Sequence, residues 1–289
     1  MSARDFSILM LCNLCWAGNL AVGAWALGRH DVPPFMLAAL RAGLVMLIMT
    51  PFLFRPKPRF FIRLIMVCIC VGPLHLGFLY TGLQTASATG SGIVSQMLIP
   101  FAAILSIIFL RERPGGLTIV AIIGAFIGSV IMMYEPGRLQ LDTGLIYVGA
   151  AYLALAAGSV LMRTVGDVDW RIYVAWVSVI VLPVMVVMSG LTEPGPITVW
   201  SQSKWPLMVA ALYAALCVSI LAHGQYFSLL QRHAVNRVVP LTIMTPLFAA
   251  ILGIAFLGDA LSSRMIIGAL FILPCVYIIA SHKPRKMEG

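Results

Sequence analysis

The chain has 289 residues, 61% of them hydrophobic and 10% charged, with a mean hydropathy of +1.00 and a formal net charge of +9. A soluble domain carries roughly 25% charged residues, so the composition excludes a soluble globular protein. The basic residues are spread along the chain rather than gathered in one patch, which argues against a nucleic-acid surface.

About 20 consecutive apolar residues cross a bilayer as a helix. On that rule the sequence predicts ten spans, at 6–28, 33–54, 61–81, 88–110, 116–134, 144–162, 170–190, 206–230, 235–257 and 264–281. The expected fold class is therefore an all-α integral membrane protein. The connections are short, and none is long enough to be a soluble domain.

Span 1 carries Asn13 and Asn19 and lacks a small-x-small cleavage site, so it is read as retained rather than as a signal peptide. Asn13, Trp16 and Asn19 recur at steps of three and share a face. An indole and amides on that face could line a cavity and bind a ligand by stacking and hydrogen bonding, or the amides could simply join neighbouring helices. Cys12 and Cys15 make a CxxC inside lipid. All six cysteines lie in apolar stretches and are read as small packing residues rather than as a redox or metal pair.

Span 2 holds Arg41, the one charge well inside a span. It lies roughly 12 Å from the span's start, at 1.5 Å per residue. It could snorkel to the outer surface, or hold a substrate carboxylate bidentately. Span 3 offers His75, Tyr80 and Gln84, the last two nearly on one face. Span 8 offers His223, Gln225 and Tyr226. A histidine titrates near neutral pH and could couple transport to protons; the alternative is a neutral ring bonded to a backbone carbonyl.

Span 4 places Ser91, Ser95 and Gln96 before Pro100, and span 9 places Thr242 and Thr245 before Pro246. Proline removes a backbone hydrogen bond and kinks a helix. The carbonyls freed at Gln96 and Thr242 could turn to a ligand, or the kinks could serve packing alone. Span 6 adds Tyr152 and Ser159. In span 7, Trp176 is expected at the cavity, whereas Trp170, Trp200 and Trp205 read as interface-belt residues.

The stretch from Gly77 to Glu112 recurs 147 positions later, from Gly224 to Asp259. Leu83-Gln84 falls on Leu230-Gln231, Phe101–Leu105 on Phe248–Leu252, and Glu112 on Asp259; Pro100 and Pro246 miss by one place. The halves, 1–138 and 139–289, thus hold five spans each. Five is odd, so the second half enters the membrane from the other side, and the two form an inverted pair. Inverted repeats are a common transporter architecture with the substrate held between the halves. With the N-terminus cytoplasmic, that side carries fourteen of the nineteen Lys and Arg residues. The outer side carries Arg29, Arg138, Lys204 and Arg264. Both termini are then cytoplasmic.

The repeat, with Trp16-Ala17-Gly18-Asn19 and the proline-containing runs that end in Glu112 and Asp259, resembles the drug/metabolite transporter superfamily. Within it, the chain is similar to the ten-span EamA-type exporters. The resemblance covers nearly the whole chain and is strongest in spans 3, 4, 8 and 9. It implies a transporter of the inner membrane with a central cavity, exporting amino acids or other small metabolites. Its characterised members include an aromatic amino-acid exporter.

The ten acidic residues all lie at termini or loop edges. That argues against a carboxylate-based Na⁺ site and an Asp/Glu proton relay. No HExxH or GxSxG is present, so no enzyme is expected. Glu112 and Asp259 sit where spans 5 and 10 begin and are read as caps on those helices. No cofactor or metal is called for. The expected partners are a small-molecule substrate, the lipid bilayer and a candidate coupling proton, with the protein a monomer or homodimer. A multidrug exporter of the same fold, or a membrane-embedded enzyme or receptor, is the competing reading.

Overall fold

The computed structural model describes residues 1–56, 58–83, 85, 88–112, 114–134, 143–193, 195–257 and 262–281. Gln84, Asp259 and the boundary between 138 and 139 lie outside these residues. Ten helices are long and apolar enough to cross a membrane. They are span 1 (Ala3–Leu27), span 2 (Pro34–Leu53), span 3 (Phe61–Leu83), span 4 (Ser91–Leu110) and span 5 (Gly116–Met133). The second set is span 6 (Thr143–Met162), span 7 (Trp170–Thr192), span 8 (Ser203–Arg232), span 9 (Val235–Ala255) and span 10 (Ser263–Ser281). Each matches one predicted span.

The outward faces of the helices are apolar. Leu47 is 73% exposed, Phe109 71% and Tyr277 74%. Water would penalise such a surface, whereas lipid covers it.

The packing follows the 147-residue offset. Span 2 lies on span 7, and span 5 on span 10. Span 1 instead packs against spans 8 and 9 of the other half, and span 6 against spans 3 and 4. Spans 1 and 6, the first of each five-span set in chain order, therefore each pack among helices of the other set.

Close approach explains the glycines at the seam of spans 5 and 10. A Cβ on Gly268 would stand 2.6 Å from the Gly128 carbonyl oxygen, and one on Gly128 would stand 3.0 Å from the Gly268 carbonyl oxygen. Small residues let backbones approach where lipid gives no hydrophobic drive for association.

Two spans lack a cap of their own and receive a carboxylate from elsewhere. Span 2 opens on Pro33-Pro34, which offers no side-chain acceptor. Glu193, at the end of span 7, accepts from Phe35 N–H at 2.6 Å and Met36 N–H at 2.8 Å. Span 9 opens after Ala234, which offers none either. Glu112, at the end of span 4, accepts from Val235 N–H at 3.0 Å, Asn236 N–H at 3.1 Å and the Asn236 side-chain amide at 3.0 Å. Glu112 thus caps span 9, not span 5 as its position in the sequence suggests. A free helix N-terminus attracts whichever carboxylate the fold brings to it.

The arginine-rich end of the bundle is further tied at the turn between spans 8 and 9. The Asp5 carboxylate meets His233 Nε2 at 2.9 Å and Arg232 at 3.4 Å. Arg163 donates to the Gln231 carbonyl at 2.9 Å. Nearby, Arg55 pairs at 3.1 Å with Asp169, which caps the start of span 7.

Trp200 and Trp205 are exposed, at 54% and 71%, as belt residues would be. Trp170 is different. Its ring lies on the backbone of Gly224 in span 8, where any Cβ would collide with it. The missing side chain at Gly224 makes room for the indole, which outweighs the interfacial preference.

Candidate functional site

Spans 3 and 8 are not uniform α-helices. Cys70–Leu74 and Ala214–His223 are π-helical. The first precedes His75, and the second ends on His223. The 147-residue offset carries Cys70–Leu74 onto residues 217–221, inside the second π segment. A π turn accommodates an extra residue, re-aims the side chains around it and recurs at functional sites.

In span 8 the widened turn presents Ser219 and His223 together to Arg41. Arg41 Nε donates to Ser219 Oγ at 2.6 Å, and Arg41 Nη2 lies 3.4 Å from His223 Nδ1. The guanidinium is turned into the bundle toward span 8, not out to the surface. A guanidinium only donates. Nδ1 of His223 therefore accepts, and the proton of the neutral ring sits on Nε2.

His75 has the opposite tautomer. Its Nδ1 is 2.9 Å from the Ala151 carbonyl oxygen, which only accepts. Nδ1 carries the hydrogen, and Nε2 offers a lone pair. The ring also meets Tyr152 edge-on at 5.4 Å. This is the carbonyl-bonded alternative foreseen for a histidine in a span.

Aromatic rings surround these groups. Trp16 packs edge-on against Tyr226 at 5.1 Å and lies 5.7 Å from the His223 ring. Tyr80 meets Phe35 at 5.9 Å, and Tyr173 meets Phe227 at 4.4 Å. His75, Tyr80 and Tyr173 all lie within electrostatic reach of Arg41. Trp16 Nε1 is buried without a hydrogen-bond partner among the described residues, whereas the Tyr226 hydroxyl has Ser159 beside it. A buried donor left unpaired is costly, so Trp16 Nε1 marks where a ligand or water belongs.

Trp16, Arg41, His75, Tyr80, Tyr152, His223 and Tyr226 thus gather from spans 1, 2, 3, 6 and 8. Ser219 and Tyr173 join them without having been singled out in the sequence. A serine four residues before His223, in a polar pocket of an apolar span, was the available signal for the first. For Tyr173 it was a phenol in an otherwise apolar helix.

The other candidates face elsewhere. Trp176 packs on Phe61 at 4.8 Å. Asn19 is half-buried, one turn along span 1 from Trp16. Asn13 is fully buried and joins spans 1 and 9, accepting from Thr245 Oγ1 at 2.7 Å. Spans 4 and 9 do break at corresponding places. Span 4 is interrupted at Gln96-Met97, and span 9 passes through a 3₁₀ turn at Val239–Ile243 before continuing toward Pro246. Pro100 follows the break in span 4 and lies within its second helical stretch. The Gln96 carbonyl is not left for a ligand, however. The tightened turn gives it Ile99 N–H at 3.1 Å. The Gln96 amide donates to Ser95 Oγ at 3.2 Å and reaches Met133 of span 5. Ser95 and Thr242 bond back to the carbonyls of Gly92 and Val239.

Comparison with known proteins follows this geometry. The EamA-like transporter family profile matches residues 6–134 and 142–281. A probable amino-acid metabolite efflux pump of Escherichia coli (strain K12) is 24% identical, covering 96% of this chain and 95% of that protein. Its Salmonella typhimurium counterpart is 25% identical over the same shares. A chloroplast WAT1-related protein of Arabidopsis thaliana is 27% identical, and the chain spans 62% of its length. One solved structure, 18% identical, superposes over the whole of both chains with a TM-score of 0.80 and supports the same fold.

Proposed function

The chain belongs to the EamA-like transporter family, and from that premise we propose that it exports amino acids, aromatic ones among them, or related small metabolites. The observation that carries the reading is Arg41, held inward by Ser219 and His223 among aromatic rings. Arginine binds a carboxylate with a planar fork, and stacked rings receive an apolar side chain. The efflux pumps it resembles are described as acting on amino-acid metabolites, which supports this substrate class.

Transport proceeds by alternating access. The exchanged packing of spans 1 and 6 and the matched breaks in spans 4 and 9 support two inverted halves that trade conformations. The excess of Lys and Arg supports cytoplasmic termini in an inner membrane. His223 is the candidate for proton coupling, since His75 is committed to the Ala151 carbonyl. A multidrug exporter would want a carboxylate for cationic drugs. Among the described residues, the acidic side chains lie at span ends and none is bonded to Arg41.

In this reading Glu112 clasps the cytoplasmic mouth. Alanine there leaves three donors unpaired and removes a charge-assisted cap, a loss of about 2 kcal/mol. Opening toward the cytoplasm should rise roughly 30-fold at 1.4 kcal/mol per decade. Maleimide labelling of Ser228→Cys, in a background without the native cysteines, measures it from the cytoplasmic side. Equal labelling rates with and without Glu112→Ala would remove the clasp.

Counterflow in proteoliposomes tests the function itself. Vesicles loaded with unlabelled tryptophan, threonine, methionine, glutamate or lysine face a trace of the same labelled compound outside. Accumulation above empty vesicles is expected for the neutral amino acids. Silence for every amino acid, together with accumulation of a quaternary ammonium drug, would favour the multidrug reading.

A further inference from the structure

We infer that the preferred ligand of this interior is a monoanion, a carboxylate whose amino group is absent or acylated, rather than the free zwitterionic amino acid. The inference rests on the transport reading above and narrows its substrate class.

The groups around Arg41 include several N–H donors and, among the described residues, no carboxylate bonded to it. Two of the guanidinium's bonds go to Ser219 and His223, and its other N–H groups remain to receive a ligand. His223 takes the guanidinium at Nδ1, so its Nε2 presents an N–H. Trp16 Nε1–H, on the ring beside His223, is buried and unpartnered. Spans 1, 2 and 8 therefore bring donors into one cluster. An oxyanion accepts from all of them and neutralises the one permanent cation there.

An ammonium group fits poorly. It brings three donors and no acceptor. The acceptors near it are uncharged: His75 Nε2, since Nδ1 is committed to Ala151, and hydroxyl oxygens such as those of Tyr80 and Tyr173. It also adds a second positive charge within reach of Arg41, in a region where charges interact more strongly than in water. No carboxylate among the described residues is bonded to Arg41, and Glu193 is committed to the N–H groups that open span 2. An acylated nitrogen is neutral, brings one N–H for these uncharged acceptors and needs no counter-charge.

Isothermal titration calorimetry on the purified, detergent-solubilised full chain tests this with four compounds that share an indole. N-acetyltryptophan and indole-3-propionate are expected to bind at least tenfold more tightly than tryptophan, and tryptophanamide not to bind. The same series built on leucine and methionine covers a mismatch in side-chain size. A free amino acid binding as tightly as its acylated form overturns the inference, with the aromatic faces then holding the ammonium. Binding of an amide overturns it too, as does silence from every carboxylate in all three series. Counterflow separates the two failures. Zwitterions carried as well as acylated forms leave the transporter standing and remove only the charge preference.

Discussion

Arg41→Gln is expected to lower counterflow of carboxylate substrates about 100-fold while the protein still inserts and purifies as one species. A carboxylate held by two charge-assisted hydrogen bonds loses about 3 kcal/mol when the fork is removed, or roughly two decades of affinity. Stability should hold or rise, because the substitution removes a charge whose burial is unfavourable. Lysine at 41 keeps the charge without the fork and should retain part of the activity. Unchanged flux through a folded Arg41→Gln protein would leave the guanidinium a structural tie between spans 2 and 8.

Gly268→Val is expected to have the largest effect on folding. Its side chain would enter a space bounded by backbone: the Gly128 carbonyl oxygen at 2.6 Å and Met132 Cα at 3.1 Å. Backbone cannot rotate aside as a side-chain tip can, so spans 5 and 10 must part along their seam. Overpacking of this kind costs on the order of 3 kcal/mol, a large share of the roughly 5–15 kcal/mol that holds a fold together. Size-exclusion chromatography should show most of the protein aggregated. Gly190→Ala is the control, since a Cβ there meets nothing within 4 Å. Normal folding and flux in Gly268→Val would mean that the two helices do not touch in the membrane.

The ten spans were legible because lipid imposes a length and a composition that a hydropathy reading detects directly. Arg41, His75, His223 and Trp16 were legible for the converse reason, as polar or amphipathic groups where such groups are costly. Ser219 was not, because a serine in an apolar helix satisfies itself on its own backbone, as Ser159 does at 2.9 Å. The π segments left little trace. Pro73 lies in the one in span 3, but those in spans 8 and 9 contain no proline. Glu112 was legible as a cap but not as the cap of span 9. Capping logic reads neighbours in sequence, and this bond crosses 123 positions. The break before Pro100 was legible, but the freed Gln96 carbonyl expected with it is taken by Ile99 N–H, because the chain tightens there.

The packing of span 1 against spans 8 and 9 has a consequence for how the protein is made. Asn13 lies in span 1, which leaves the ribosome well before its partner Thr245, 232 residues later in the chain. At about 5–20 residues per second, that is a wait of roughly 10–50 s. Throughout it, span 1 stands in the bilayer with a polar side chain and an inner face still lacking spans 8 and 9. The nascent protein thus carries a built-in window in which an insertase or a membrane protease can act, and it closes when span 9 arrives.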